Sequence, residues 1–302
     1  MIILGQAGKP TKMSQWIDDV YGKKEKFAQS VKGRKIVIVA GSNALFGVDS
    51  KMLCDAFALP VVNDSVNAGI ELPLILFKAQ EVIAPGDVVI LPLEYPMYSY
   101  DGRAGVQMID YLLAREPGYF RKLTLKEQFY VIWHISFERV AEGYLDSTNN
   151  PVTQGLYGAH QLDTYGDQTG TEIFHKSDFM YEEIKVHLKH PETYGREFDQ
   201  NALGWKYLEK FVSWCEEREV KVIFMPSTLM YDERYHTVPE ERRFYVHLAE
   251  EVRKRGWKYV GDPYAYMYDK ALYFNTNFHL IDSARKMRTK KMIEDLRANF
   301  KE

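Results

Sequence analysis

Short, wholly apolar runs alternate along this chain with longer stretches whose apolar residues recur every three or four positions. A brief apolar run bounded by turn formers reads as a strand buried on both faces, and the longer pattern as an amphipathic helix. On that rule, strands are predicted at 35–40, 61–62, 87–93, 220–226 and 257–260. Helices are predicted at 14–30, 50–57, 72–83, 203–218, 240–255 and 283–300. Strands separated by helices are the pattern of parallel βαβ units. The expectation is a single α/β domain over 1–302, with about five mostly parallel strands and helices on both faces.

The alternation breaks between about 98 and 200. This stretch carries helical patterns at 105–115 and 124–141. It then runs through a polar, glycine-containing segment, 146–174, too long for an ordinary connection and better read as an insertion or lid. The first twelve residues, with Gly5, Gly8 and Pro10, read as an irregular arm.

Composition changes this picture little. The 302 residues are 46% hydrophobic and 27% charged, with a formal net charge of −3, so no global basic field draws the chain to nucleic acid. Cys54 and Cys215 each fall in a helical pattern, which favours buried thiols over a disulfide and leaves the compartment open. No apolar run approaches the roughly 20 residues of a membrane-spanning helix. Met-Ile-Ile-Leu at the start is too short for the core of a signal peptide and reads as an anchor stub or a native start. His187 and His190 are three apart but have no companions at metal-site spacing, and no cofactor is expected.

Candidate chemistry gathers at strand ends. The first strand stops at Gly41-Ser42-Asn43, the second runs into Asn63–Gly69, and the third ends at Glu94-Tyr95-Pro96. A fourth loop, Asn275–His279, precedes the last helix. Parallel topology places all four at one edge, where open α/β sheets bind ligands. A serine at a strand end, beside the N–H groups of a starting helical turn, suits attack on an acyl carbon. The plainer alternative is a strand-to-helix turn capped by Ser or Asn. Among eight histidines, His279 alone sits in a loop at that edge, which makes it the candidate base; the alternative is a helix-flanking histidine bonded to a carbonyl. Asn43, Glu94 and Tyr95 are the candidate substrate contacts at the same edge. Tyr95, Tyr98 and Tyr100 could border a sugar groove, although core packing explains them equally well.

Four blocks, GSNALFGVDS at 41–50, VNAG at 66–69, LPLEY at 91–95 and FHLIDSARKMRT at 278–289, together resemble the SGNH (GDSL-like) hydrolase superfamily. They are most similar to its exopolysaccharide and cell-wall O-acetylation branch, which includes alginate acetylation-like and D-alanyl transfer-like proteins. The resemblance covers about residues 30–98 and 200–300. It implies a three-layer, flavodoxin-like fold with Ser42 as nucleophile and His279 as base, and with the N–H groups of Ser42 and Gly69 as oxyanion hole. It also implies an acetylesterase or O-acyltransferase acting on a bacterial polysaccharide outside the cytoplasm, with a membrane-bound O-acyltransferase supplying the acyl group. A cytoplasmic site is the alternative. Two blocks depart from the pattern. Glu94 stands where the family places an oxyanion-hole Asn, so that Asn67 is the substitute donor and Glu94 is open to a structural ion pair with an Arg or Lys. Asn275 or Thr276 stands where the family places the acid that orients the histidine. An Asn orients an imidazole without compensating its positive charge. Asp282 is the nearest carboxylate that could, although an Asp there also suits a helix N-cap. A catalytically silent carbohydrate-binding or assembly subunit is the alternative reading.

Overall fold

The computed structural model describes residues 5–145, 156–196 and 198–300. In chain order the main elements are α1 (Lys12–Ser30), β1 (Ile36–Ile38), α2 (Ser42–Gly47), α3 (Ser50–Phe57), β2 (Val61–Asn63), α4 (Glu71–Val82), β3 (Val88–Leu91), α5 (Val106–Ala114), α6 (Leu125–Trp133), α7 (Phe137–Tyr144), α8 (Asp178–Lys189), α9 (Leu203–Glu216), β4 (Lys221–Phe224), β5 (Leu229–Met230), α10 (Arg234–Thr237), α11 (Pro239–Lys254), β6 (Lys258–Tyr259), β7 (Met267–Tyr268) and α12 (Asp282–Leu296).

Five strands form one fully parallel sheet in the order β2-β1-β3-β4-β6. Alternate residues of each strand feed two separate cores. Val37, Val62, Val89 and Leu91 face the larger core with α1, α4, α5, α9 and α11. Ile36, Ile38, Val88 and Ile90 face a smaller core closed by Leu53 of α3 and by Met292 and Leu296 of α12. These side chains are buried, and each contributes roughly 1.5–3 kcal/mol. Burial on both faces is why the strands read as unbroken apolar runs instead of alternating ones. A buried ion pair, Lys35 Nζ to Asp87 Oδ2 at 2.6 Å, ties together the starts of β1 and β3.

Register explains how the site is assembled. Ile38 lies level with Asn63 of β2 and Ile90 of β3, and Phe224 lies level with Leu91 and Tyr259. The carboxyl ends of all five strands therefore open on one edge. The chain leaves β1 toward β2 on one side and returns to β3 on the other, so β1 ends at a topological switch point, the crevice where such sheets take ligands.

Among the described residues the 98–200 segment contributes no strand to the sheet and adds α5 to α8 outside it. The helix expected over 124–141 is two helices. Ser136 caps α7 by accepting the N–H of Arg139, and His134 ends α6. The apolar periodicity ran across this break and concealed it. Residues 146–155 of the expected lid lie outside the described residues. Cys54 is half-buried and Cys215 buried, both as free thiols.

Candidate active site

Ser42 is the first residue of α2, directly after the bend at Gly41. It is the one residue between 41 and 48 that reaches solvent. A side chain at Gly41 would not fit, because its Cβ would fall 2.6 Å from the Cα of Ala68 and 2.6 Å from Glu94 Oε1. Glycine thus lets the 66–69 loop and the end of β3 press against the backbone that carries Ser42.

Glu94 holds that backbone in place. Its carboxylate accepts the N–H of Gly41 and the N–H of Asn43, each at 2.9 Å. The N–H between them, that of Ser42, has no partner among the described residues, and neither has Ser42 Oγ. Burial raises the pKa of Glu94, while the Asn43 and Gly41 donors pull it back down. Glu94 therefore does not face a substrate. The expected ion pair with an Arg or Lys does not form directly either; a fully buried Arg288 reaches the same turn from the other side. Arg288 Nη1 and Nη2 donate to Asn43 O and Asn43 Oδ1, both at 2.9 Å, and Asn43 Nδ2 donates to Pro92 O at 2.9 Å. Every polar group of Asn43 is thereby used inside the protein, which corrects its assignment as a substrate contact. Tyr95 is corrected likewise. It is buried edge-on against Phe244 and Tyr245, with its hydroxyl on Ser227 O at 3.3 Å.

His279 is 4% exposed and stacks flat on Phe46, with ring centroids 4.0 Å apart and planes 5° apart. Ser42 and Phe46 are four residues apart on α2, so they share a helix face with Cβ atoms about 6 Å apart. The imidazole thus lies along the face that carries Ser42, although no hydrogen bond joins the two side chains. The 273–280 loop closes on itself through Phe274 N–H to His279 O at 2.7 Å and a bridge between Tyr273 and Leu280. This brings Asn275 opposite His279, with Nδ1 and Asn275 Oδ1 2.8 Å apart. Asn275 Nδ2 donates to Tyr157 Oη at 3.0 Å. With the amide oxygen turned to the ring, the proton belongs on Nδ1; Tyr157 Oη, which can donate or accept, meets the other end of the amide. Nε2 is left with its lone pair, the tautomer a general base requires. Burial drives the pKa of His279 down to about 3, and the charge of His187 adds to the effect.

Asp282 does not approach the imidazole. It opens α12 and pairs with Arg285 Nη2 at 2.6 Å and Lys286 Nζ at 2.7 Å, a first-turn carboxylate neutralised by its own helix. It is not the side-chain N-cap either, since Ile281 holds that position. The oxyanion donor expected at Gly69 is also taken. Its N–H donates to Asn67 Oδ1 at 2.5 Å in a local turn. Asn67 Nδ2 has no partner among the described residues, so Asn67 and the Ser42 N–H are the donors this edge leaves open.

Three residues near the site have no clear mark in the sequence. Tyr157 of the insertion holds Asn275. His187 of α8, read as solvated from its polar neighbourhood, is half-buried and acts electrostatically on His279, while Glu183, one turn earlier, acts on Tyr157. The 183/187 spacing marks one helix face and was the available signal. The third is Glu71, two residues beyond Gly69. Its backbone, at φ 62° and ψ 160°, occupies a region that is essentially glycine-only. It lines a cavity of about 780 Å³ together with Tyr100, Arg103, Lys126 and Lys206, a cavity that contains neither Ser42 nor His279.

Burial raises the pKa of Glu71 to about 7, against a partly offsetting bond from the Gly105 backbone. Between the unfolded carboxyl value and about 7, the folded state holds a proton that the unfolded chain releases. Stability contributed by the neutral carboxyl is therefore complete below about pH 4.5 and lost as pH rises to about 7. Glu71→Gln, which cannot ionise, should gain stability relative to the parent between pH 4 and pH 8, by on the order of 3 kcal/mol. Urea unfolding of both proteins at the two pH values checks this, and a constant difference would refute it.

No protein-family model matches this chain, and no curated protein matches it significantly in sequence.

Proposed function

We propose that this protein is an SGNH-type serine O-acyltransferase or acetylesterase with a flavodoxin-like fold, acting on a bacterial surface or secreted polysaccharide. The observation that carries the reading is the 2.8 Å contact between His279 Nδ1 and Asn275 Oδ1. Asn275, itself held by Tyr157, leaves the Nε2 lone pair free on an imidazole stacked along the helix face that begins with Ser42.

In this reading Ser42 Oγ attacks the acyl carbon and its proton passes to His279 Nε2. The oxyanion is met by the Ser42 N–H and the Asn67 amide. Collapse expels the donor alcohol, which takes the proton from Nε2 and leaves an acyl-serine. A sugar hydroxyl or water, deprotonated by the same nitrogen, then attacks the acyl carbon, and collapse breaks the bond to Ser42 Oγ, which takes the proton back from Nε2. Extracytoplasmic work beside a membrane-bound O-acyltransferase that supplies the acyl group belongs to the same proposal. No helix among the described residues is long and apolar enough to cross a membrane.

One observation favours a second reading. The group on Nδ1 is an amide, and a base with a pKa near 3 gains little from protonation. A carbohydrate-binding or assembly subunit would tolerate this. Hydrolysis of para-nitrophenyl acetate separates the two readings. A slow turnover that disappears in Ser42→Ala is expected of the enzyme. Equal background in both proteins, with no transfer to a sugar acceptor, supports the binding subunit.

A further inference from the structure

The helix α6 is built inside out. Its buried positions include Glu127, whose carboxylate accepts the hydroxyls of Tyr100 at 3.0 Å and Tyr207 at 2.9 Å and closes a capping box with Thr124. Those bonds lock the helix's rotation. Leu125, Phe129, Ile132 and Trp133, at i, i+4, i+7 and i+8, are consequently turned outward as one stripe. Leu125 is 83% exposed and Trp133 75%, and the Phe129 and Trp133 rings stack 6.0 Å apart as a flat plate. Phe137, at the start of α7, is 95% exposed. A surface helix normally turns such residues inward, and a contiguous apolar patch of this kind marks a docking face.

We propose that the outer face of α6 and α7 seats the protein on a lipid bilayer bearing anionic headgroups. The inference does not rest on the Ser42 chemistry. Two features select this occupant. First, Arg121 and Lys126 are exposed at the amino end of α6, where Lys126 neighbours Leu125 and Phe129 along the helix and donates to Asp101 O at 3.3 Å, while Lys122 is turned over the Phe77 and Tyr119 rings. Cations thus flank one end of the apolar stripe, as in helices that lie in a membrane interface. On α7 the exposed carboxylate of Glu138 and the half-buried one of Glu142 lie further along, so attraction is concentrated at α6. Second, an apolar sequence adjoins α7 along the chain. Gln6 is bound to the inner side of α7, accepting from Arg139 Nη1 at 2.9 Å and donating to Val140 O at 3.5 Å, and in the sequence the residues preceding Gly5 are Met-Ile-Ile-Leu.

Vesicle flotation of the full chain tests the proposal, using phosphatidylcholine alone and phosphatidylcholine mixed with phosphatidylglycerol. The parent should float with the mixed vesicles, and less so as salt rises. Phe129→Glu/Trp133→Glu should lower the partition coefficient about ten-fold or more while leaving the melting temperature unchanged, because both side chains are exposed. Arg121→Glu/Lys126→Glu should remove the preference for phosphatidylglycerol. A parent that stays with the soluble fraction, or a Phe129→Glu/Trp133→Glu protein that floats equally well, overturns the proposal. So does a parent dimer in solution that this double variant converts to monomer, because the face would then cover a second copy of the chain.

Discussion

Asn275→Asp should convert a weak base into a working one. The substitution fits the local bonds. One carboxylate oxygen can keep the 2.8 Å contact with His279 Nδ1, and the other can accept from Tyr157 Oη, which now donates in place of receiving from Asn275 Nδ2. The imidazole's pKa is about 3 because it is buried with no anion to favour its charged form. A carboxylate at hydrogen-bond distance should raise it by about 1–3. The reverse change, Asp to Asn, costs about 10⁴ in kcat in the serine-protease triad. A gain of roughly ten- to a thousand-fold in acetyl-ester turnover is therefore expected. The parent's pH profile should be flat from pH 5 to 8, since His279 stays neutral throughout. Imidazole ¹⁵N shifts followed against pH should show the raised pKa in the variant alone. Unchanged shifts and rate would mean that residue 275 does not govern the base.

Glu94→Ala should damage the fold as well as the site. The carboxylate is the acceptor for two buried N–H groups on either side of Ser42, and it helps balance the buried charge of Arg288. Two unsatisfied buried donors cost about 2–6 kcal/mol together. For a chain of this size that corresponds to a fall in melting temperature of about 3–10 °C. Glu94→Gln keeps one acceptor and turns an amide N–H toward the other donor, so it should lie between the parent and Glu94→Ala. Calorimetry gives the order directly, and equal melting temperatures would show that the turn is held by other contacts.

The centre of the sheet was legible because β1, β2 and β3 are short, β-branched runs buried on both faces, a pattern that does not depend on distant residues. Ser42 and His279 were legible as strand-edge polar groups for the same reason. What Glu94 does was not, because its partners lie some fifty residues away and only the register of β1 against β3 brings them together. A carboxylate at a strand end therefore looked like a substrate contact. The turn that occupies the Gly69 N–H was written locally, as Asn67 two residues before a glycine, but a local turn and an oxyanion loop share that pattern. α8 and His187 were missed because a largely exposed helix shows little apolar periodicity. The break between α6 and α7 was missed for the opposite reason, since an outward apolar stripe mimics a core-facing one.

The most direct test of the proposed chemistry is the acyl-serine itself. Incubation with para-nitrophenyl acetate, followed by intact mass measurement and peptide mapping, should place one acetyl group on Ser42 of the parent and none on Ser42→Ala. Acetylation of another residue, or equal labelling of the two proteins, would contradict the assignment of Ser42 as the nucleophile.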